Sequence, residues 1–144
     1  MNPFQYVSAN SPDEAISLVG RNGRYLGGGI DLLAEMKEYI VSPDILVDVK
    51  QVSDAQVNLN GIVGMDNVSG INTQEQSGAF WKIGALSTVA EIAAHPGLKA
   101  ALPGLTEAAS EVGSPQIRNV ATLAGNLLQH SRCWYYRQHD ITCL

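Results

Sequence analysis

Three successive glycines, Gly27, Gly28 and Gly29, stand between a short extended run, Arg24-Tyr25-Leu26, and a helical pattern in which Leu32, Leu33 and Met36 share one face. No other feature limits the fold so strongly. Lacking Cβ atoms, a glycine run can turn the chain within a few residues, reach positive φ and let successive N–H groups converge. Asp31 is placed to cap the helix that follows. Ser42-Pro43-Asp44 ends that helix, and Ile45-Leu46-Val47-Asp48-Val49 then reads as a buried parallel strand. The N-terminal third of the chain therefore predicts a small βαβ unit.

Upstream, Ser11-Pro12-Asp13-Glu14 combines an N-cap, a proline at the first helical position and an acid at the capping-box position, predicting a helix over 12–19. Beyond the first unit the pattern changes. Over 57–85, short apolar runs (Ile62-Val63 and Phe80-Trp81-Lys82-Ile83) are separated by Gly61, Gly64, Gly70 and Gly78, which predicts antiparallel strands and turns. Helices are expected over 88–94, stopping at His95-Pro96-Gly97, and over 102–112, ending at Gly113. His95 then reads as a partner for a C-terminal helix dipole. The fold class is α+β, with one lobe over 1–54 and a second over 55–144.

Residues 114–126 are poor in periodicity and read as turn chemistry interleaved with single apolar residues, ordered by a ligand or by packing on the first lobe. This is the second stretch that offers bare backbone, and two such elements suit the capture of a dinucleotide. The formal charge is −5 and the nine Lys and Arg residues are scattered, so there is no basic stripe for nucleic acid. An anionic dinucleotide would be held by local N–H groups instead of by the overall field. No segment approaches the ~20 apolar residues of a membrane helix. The start, Met1-Asn2-Pro3-Phe4, lacks an export pattern, and a free Met1 favours a separate subunit over a fused enzyme. Two cysteines, Cys133 and Cys143, are too few for a secreted disulfide framework, so a reducing, cytoplasmic setting is expected. No paired carboxylates, nucleophile elbow or Ser-His-Asp order stands out, and no residue is assigned a catalytic role.

Together these elements resemble the FAD-binding, or medium, subunit of molybdenum hydroxylases, the group of xanthine dehydrogenase, carbon monoxide dehydrogenase and aldehyde oxidoreductase. In that family a strand enters a Gly-Gly-Gly or Ala-Gly-Gly turn that cradles the FAD pyrophosphate. Leu26, Gly27, Gly28, Gly29, Ile30, Asp31 and Leu32 correspond to it here. The family's second flavin motif, Gln-Ile-Arg-Asn-x-Ala-Thr-x-Gly-Gly-Asn, is similar to residues 116–126 and implies flavin contacts at Arg118, Ala121, Thr122, Ala124, Gly125 and Asn126. Ile30 stands where the family often has threonine, and Ala124 where glycine is usual. The implied fold is a two-lobed FAD-binding domain of the PCMH or vanillyl-alcohol-oxidase type, its first lobe taking the pyrophosphate, with this chain ending short of the family's C-terminal domain.

Residues 127–137 are similar to a subgroup, resembling periplasmic aldehyde oxidoreductases and benzoyl-CoA-type reductases, whose flavin subunits insert a cysteine-bearing segment for an extra iron–sulfur cluster. Here it would start at about 128 and offer Cys133 and Cys143 as metal ligands. A [4Fe–4S] cluster takes four thiolates, so the set is incomplete, and a pair of ordinary thiols is the other reading. His130 and His139 lie near these cysteines without a recognised metal spacing. The resemblance implies an electron relay from a molybdenum-cofactor large subunit, through a [2Fe–2S] small subunit, to FAD on this one and on to an external acceptor. A flavin-free docking module of the same complex is the alternative, and export with a partner subunit is the alternative to a cytoplasmic location. Arg118 has a phosphate or a nearby carboxylate as its possible partner, while Thr122 and Asn126 either meet the flavin or satisfy their own turn.

Overall fold

A computed structural model of the chain describes residues 1–52, 62–65, 80–138 and 141. It begins with β1 (Gln5–Ser8), α1 (Pro12–Val19), β2 (Gly23–Leu26), α2 (Leu32–Lys37) and β3 (Ile45–Asp48). The strands form one parallel sheet in the order β1-β3-β2, with Ile45 opposite both Gln5 and Gly23. The β-branched run thus lies in the middle of the sheet, as its continuous apolar pattern predicts, with Leu46 and Val47 buried. β1 is additional to the expected βαβ unit. Gln5 and Tyr6 are exposed, so no buried face shows in its pattern.

Helix α1 spans the predicted residues. Ser11 Oγ accepts from the Glu14 amide at 3.2 Å, and Glu14 Oε2 accepts from the Asn10 amide at 2.8 Å, so the cap and its reciprocal acid are both in use. Ala15 on this helix joins Ala9, Val47 and Val52 in the first core cluster. At Gly23 a Cβ would lie 1.9 Å from the Val19 carbonyl oxygen, so only glycine lets the chain re-enter the sheet so close to the helix end. α2 stops before the Ser42-Pro43-Asp44 signal. Tyr39, at φ 58°, closes it: the Ile40 amide donates to Glu35 O at 2.9 Å and the Tyr39 amide to Met36 O at 3.3 Å. This Schellman arrangement usually employs glycine. The two bonds satisfy open carbonyls and offset the cost of a left-handed tyrosine.

β4 (Ile62–Met65) and β5 (Phe80–Ile83) pair antiparallel with Ile62 opposite Ile83, as the apolar runs predict, while Gly61, Gly70 and Gly78 lie outside the described residues. There follow α3 (Val89–Ala94), α4 (Pro96–Ala101), α5 (Pro103–Ser110), α6 (Pro115–Val120) and α7 (Leu123–Leu127). His95-Pro96-Gly97 ends α3 but also opens α4, because His95 Nδ1 accepts from the Leu98 amide at 3.2 Å and Pro96 takes the first helical position. His95 therefore caps an N-terminus and is not a C-terminal dipole partner; the accepting Nδ1 is the unprotonated nitrogen of the ring. Residues 114–126, expected as turns, instead form α6 and α7. Ser114 Oγ accepts from the Ile117 amide at 3.3 Å, and Thr122 Oγ1 accepts from the Gly125 amide at 3.2 Å.

Val89, Ile92, Leu98, Ala109 and Ala121 make the second core cluster, with Trp81, Ile83, Ile117 and Ile30 packed against it. Ile30 comes from the glycine turn, so the turn contributes to the core of the later half. A threonine there would set a hydroxyl against an apolar cluster, which is a physical reason for isoleucine at this position. The architecture is α+β throughout: a parallel sheet with its helices, then a hairpin carrying a layer of short helices.

Candidate functional site

The two halves meet at a cleft of about 580 Å³. That lies inside the roughly 300–1,000 Å³ range of small-molecule sites. Its walls hold twelve of the thirteen residues expected around a cofactor: Leu26, Gly27, Gly28, Gly29, Ile30, Asp31 and Leu32 from one side, Ala121, Thr122, Ala124, Gly125 and Asn126 from the other. The thirteenth, Arg118, does not line it. Its Nη1 donates to the carbonyls of Val112 and Gly113 at 3.0 and 3.1 Å, which ties down the turn between α5 and α6. Cys133 is an exposed free thiol outside the cleft walls, and Cys143 and His139 lie outside the described residues. Among the described residues, no group of three or more His, Cys, Asp and Glu side chains is arranged for a metal ion.

The glycines do more than expose backbone. A Cβ on Gly28 would sit 2.1 Å from the Val120 carbonyl oxygen, and one on Gly27 would sit 3.0 Å from Thr122 Oγ1. The first motif therefore presses backbone to backbone against the second. Gly29, at φ +73°, makes the left-handed step that sends the chain into α2. On the opposite wall, Thr122 is buried and caps α7, and a Cβ on Gly125 would approach its Oγ1 at 2.9 Å. The Val89 amide donates to Ala121 O, the Leu123 amide to Ser87 O and the Ala124 amide to Ala85 O, at 2.9, 2.9 and 3.0 Å. These bonds hold the second motif to the segment that leads into α3.

The electrostatics of the cleft depart from expectation at Asp31. It stands at the cap position of α2 but has helical dihedrals, φ −88° and ψ −49°, and makes no capping hydrogen bond. Its charge is met instead by Arg137 Nη2 at 2.8 Å and Arg132 Nε at 3.2 Å, both on Oδ1. The Arg137 guanidinium is nearly buried: Nε donates to Ser131 O at 3.0 Å, and Nη1 lies 3.7 Å from Glu38 Oε2. The hydrogen bond to Asp31 raises its pKa above the usual value. One turn further along α2, buried Glu35 is 3.0 Å from His130 Nδ1. His130 thus pairs with a carboxylate on α2. Arg24, Glu35, His130 and Arg132 all line the cleft, and none was expected there. Arg24 sits beside the glycine turn in sequence, but nothing local ties residues 130–137 to α2.

A concave, glycine-lined cleft between two packed halves has the form of a small-molecule site. Over residues 2–133 the chain matches the family described as the FAD binding domain in molybdopterin dehydrogenase, and it belongs to that family. It is 34% identical over 145 residues to the aldehyde oxidoreductase FAD-binding subunit PaoB of Escherichia coli, covering 99% of this chain and 41% of that relative. To the nicotinate dehydrogenase FAD-subunit of Eubacterium barkeri it is 31% identical over 131 residues, covering 88% of this chain and 39% of the relative. The solved structure of carbon monoxide dehydrogenase from Hydrogenophaga pseudoflava superposes with a TM-score of 0.69 at 31% identity, covering 88% of this chain and 40% of that one. The chain spans about two-fifths of the length of the curated relatives it matches. The α+β fold implied by the resemblance is the fold it shares with them.

Proposed function

We propose that this chain is the FAD-holding part of an electron-transfer subunit in a molybdenum hydroxylase complex, an oxidoreductase component with no substrate chemistry of its own. The observation that carries this reading is convergence: two glycine-bearing stretches far apart in sequence wall one cleft of small-molecule size. FAD, when bound, supplies the ability to take electrons singly and release them as a pair. The chain's own residues supply the container. Gly27, Gly28 and Gly29 line the cleft with backbone and bring no side chains of their own. Thr122 Oγ1 already accepts from Gly125, which leaves its proton to donate, and Asn126 Oδ1 accepts from Gln129, which leaves its amide group to donate. Leu26, Ile30, Leu86 and Ile117 give the cleft apolar walls that exclude water.

In the same reading, residues 1–54 form the pyrophosphate lobe and 55–144 the second flavin lobe, with a [2Fe–2S] small subunit and a molybdenum-cofactor large subunit as partners. Relatives named medium chain support companions of other sizes. These 144 residues do not fit a [4Fe–4S] cluster: they contain two cysteines where four thiolates are needed, and no step is routed through one. Among the described residues no helix is long and apolar enough to cross a membrane. The cytoplasm is the proposed compartment, where an exposed thiol such as Cys133 stays reduced.

Incubation with FAD followed by desalting tests the proposal. Flavin absorption bands retained at a stoichiometric ratio are expected. A chain shown by circular dichroism to be folded, yet free of flavin, would favour a docking module instead.

A further inference from the structure

A carboxylate inside a site for a dinucleotide is an electrostatic fault unless something cancels it, and Asp31 lines the cleft directly after the glycine turn. The expected remedy, a helix cap, is not made. Two arginines of the cysteine-bearing segment converge on its Oδ1 instead, Arg137 at 2.8 Å and Arg132 at 3.2 Å. They differ in commitment. The Arg137 side chain is 12% exposed and is also held by Ser131 and Glu38, whereas that of Arg132 is 56% exposed, lines the cleft, and among the described residues makes an ion pair with Asp31 alone.

Resting on the FAD reading above, we propose that residues 130–137 are part of the flavin site, and that Arg132 and Arg137 act there as positioning residues that cancel the charge of Asp31 so that a dianionic pyrophosphate can approach the glycine turn. The segment that carries Cys133 is thereby coupled to the cleft: ordering it raises affinity for the anion, and a bound anion in turn favours its order. Removing Arg132 leaves Asp31 with Arg137 alone, whose charge is shared with Glu38, so one positive charge faces two carboxylates beside the phosphates. Removing the Asp31 carboxylate as well restores the balance.

The test is FAD affinity, read from flavin fluorescence quenching, for wild type, Arg132→Gln, Asp31→Asn and the double variant. Asp31→Asn is nearly isosteric and removes no cap. Arg132→Gln is expected to weaken FAD binding about fivefold, and the loss should shrink with added salt. Asp31→Asn should bind at least as tightly as wild type, and the double variant should return to within about twofold of it. Full loss persisting in the double variant would mean that Arg132 acts by direct contact or through folding, and would overturn the inference. So would wild-type affinity in Arg132→Gln. Both of these leave the FAD reading intact, whereas failure of the wild-type chain to bind FAD overturns both.

Discussion

The two glycine-bearing walls of the cleft look alike in sequence but are built differently. At 27–29 the glycines are demanded by packing: Gly28 has a carbonyl oxygen where its Cβ would be, and Gly29 needs a positive φ. At 121–126 the single glycine, Gly125, sits in a short helix beside the threonine that caps it. The first wall is glycine-rich because another backbone occupies its side-chain space, and the second because a cap needs room. Bare backbone toward a ligand is a by-product of joining the halves in one case and of starting a helix in the other. A glycine motif therefore reports close approach, and what approaches can be the protein itself.

That contrast can be broken or sharpened by substitution, read as changes in urea or thermal unfolding. Gly28→Ala should have the largest effect, about 3 kcal/mol or more of destabilisation, since the atom in the way is backbone that cannot rotate aside. Wild-type stability in this variant would mean that the walls are not in contact. Gly29→Ala should cost about 1–2 kcal/mol from the left-handed conformation, with crowding against Leu26 and Leu33 adding to it. Thr122→Val keeps the branched shape, deletes the cap and should cost about 1 kcal/mol. Gly104→Ala, at an exposed position of α5 with nothing near its would-be Cβ and no positive φ, should stabilise by about 0.5 kcal/mol. A loss at Gly104 would contradict the view that glycine is required only where something approaches.

A weaker effect distinguishes the sheet from the cleft. Burial pushes the Asp48 carboxyl up, but the Tyr6 hydroxyl, the Lys50 amide and the Lys50 ammonium together outweigh it and leave the carboxyl below its ordinary value. A carboxyl lowered in this way contributes stability that is present above its unfolded pKa and lost as pH falls through its folded pKa. Unfolding midpoints should therefore drop on acidification below the ordinary carboxylate range, and Asp48→Asn should flatten part of that drop.

Much of this was legible in the sequence where the determinants are local. Ser11-Pro12 with Glu14 marked the start of α1, and the continuous run at 45–49 marked the central strand. The same dipeptide at Ser114-Pro115 marks α6 by the same physics, but it was masked by the absence of an apolar period in a six-residue helix. Twelve of the thirteen residues that the resemblance implies line one cleft, although the two motifs are far apart in sequence. The charge arrangement was not legible. The Arg137 and Asp31 partners are 106 residues apart, and no propensity or spacing encodes a contact of that span. Asp31 at a helix start reads as a cap on local evidence, and tertiary ion pairs override it. For Arg118 the sequence leaves a phosphate or a nearby carboxylate as partner, and the structure pairs it with two turn carbonyls instead.

On the proposed function, FAD lies in the cleft between residues 26–32 and 121–126. The most direct measurement is a titration of isotopically labelled protein with FAD, followed by amide chemical shifts. Shifts concentrated on those two stretches and on residues 130–137 are the predicted result, and shifts confined to other surfaces, or none at saturating FAD, would contradict it.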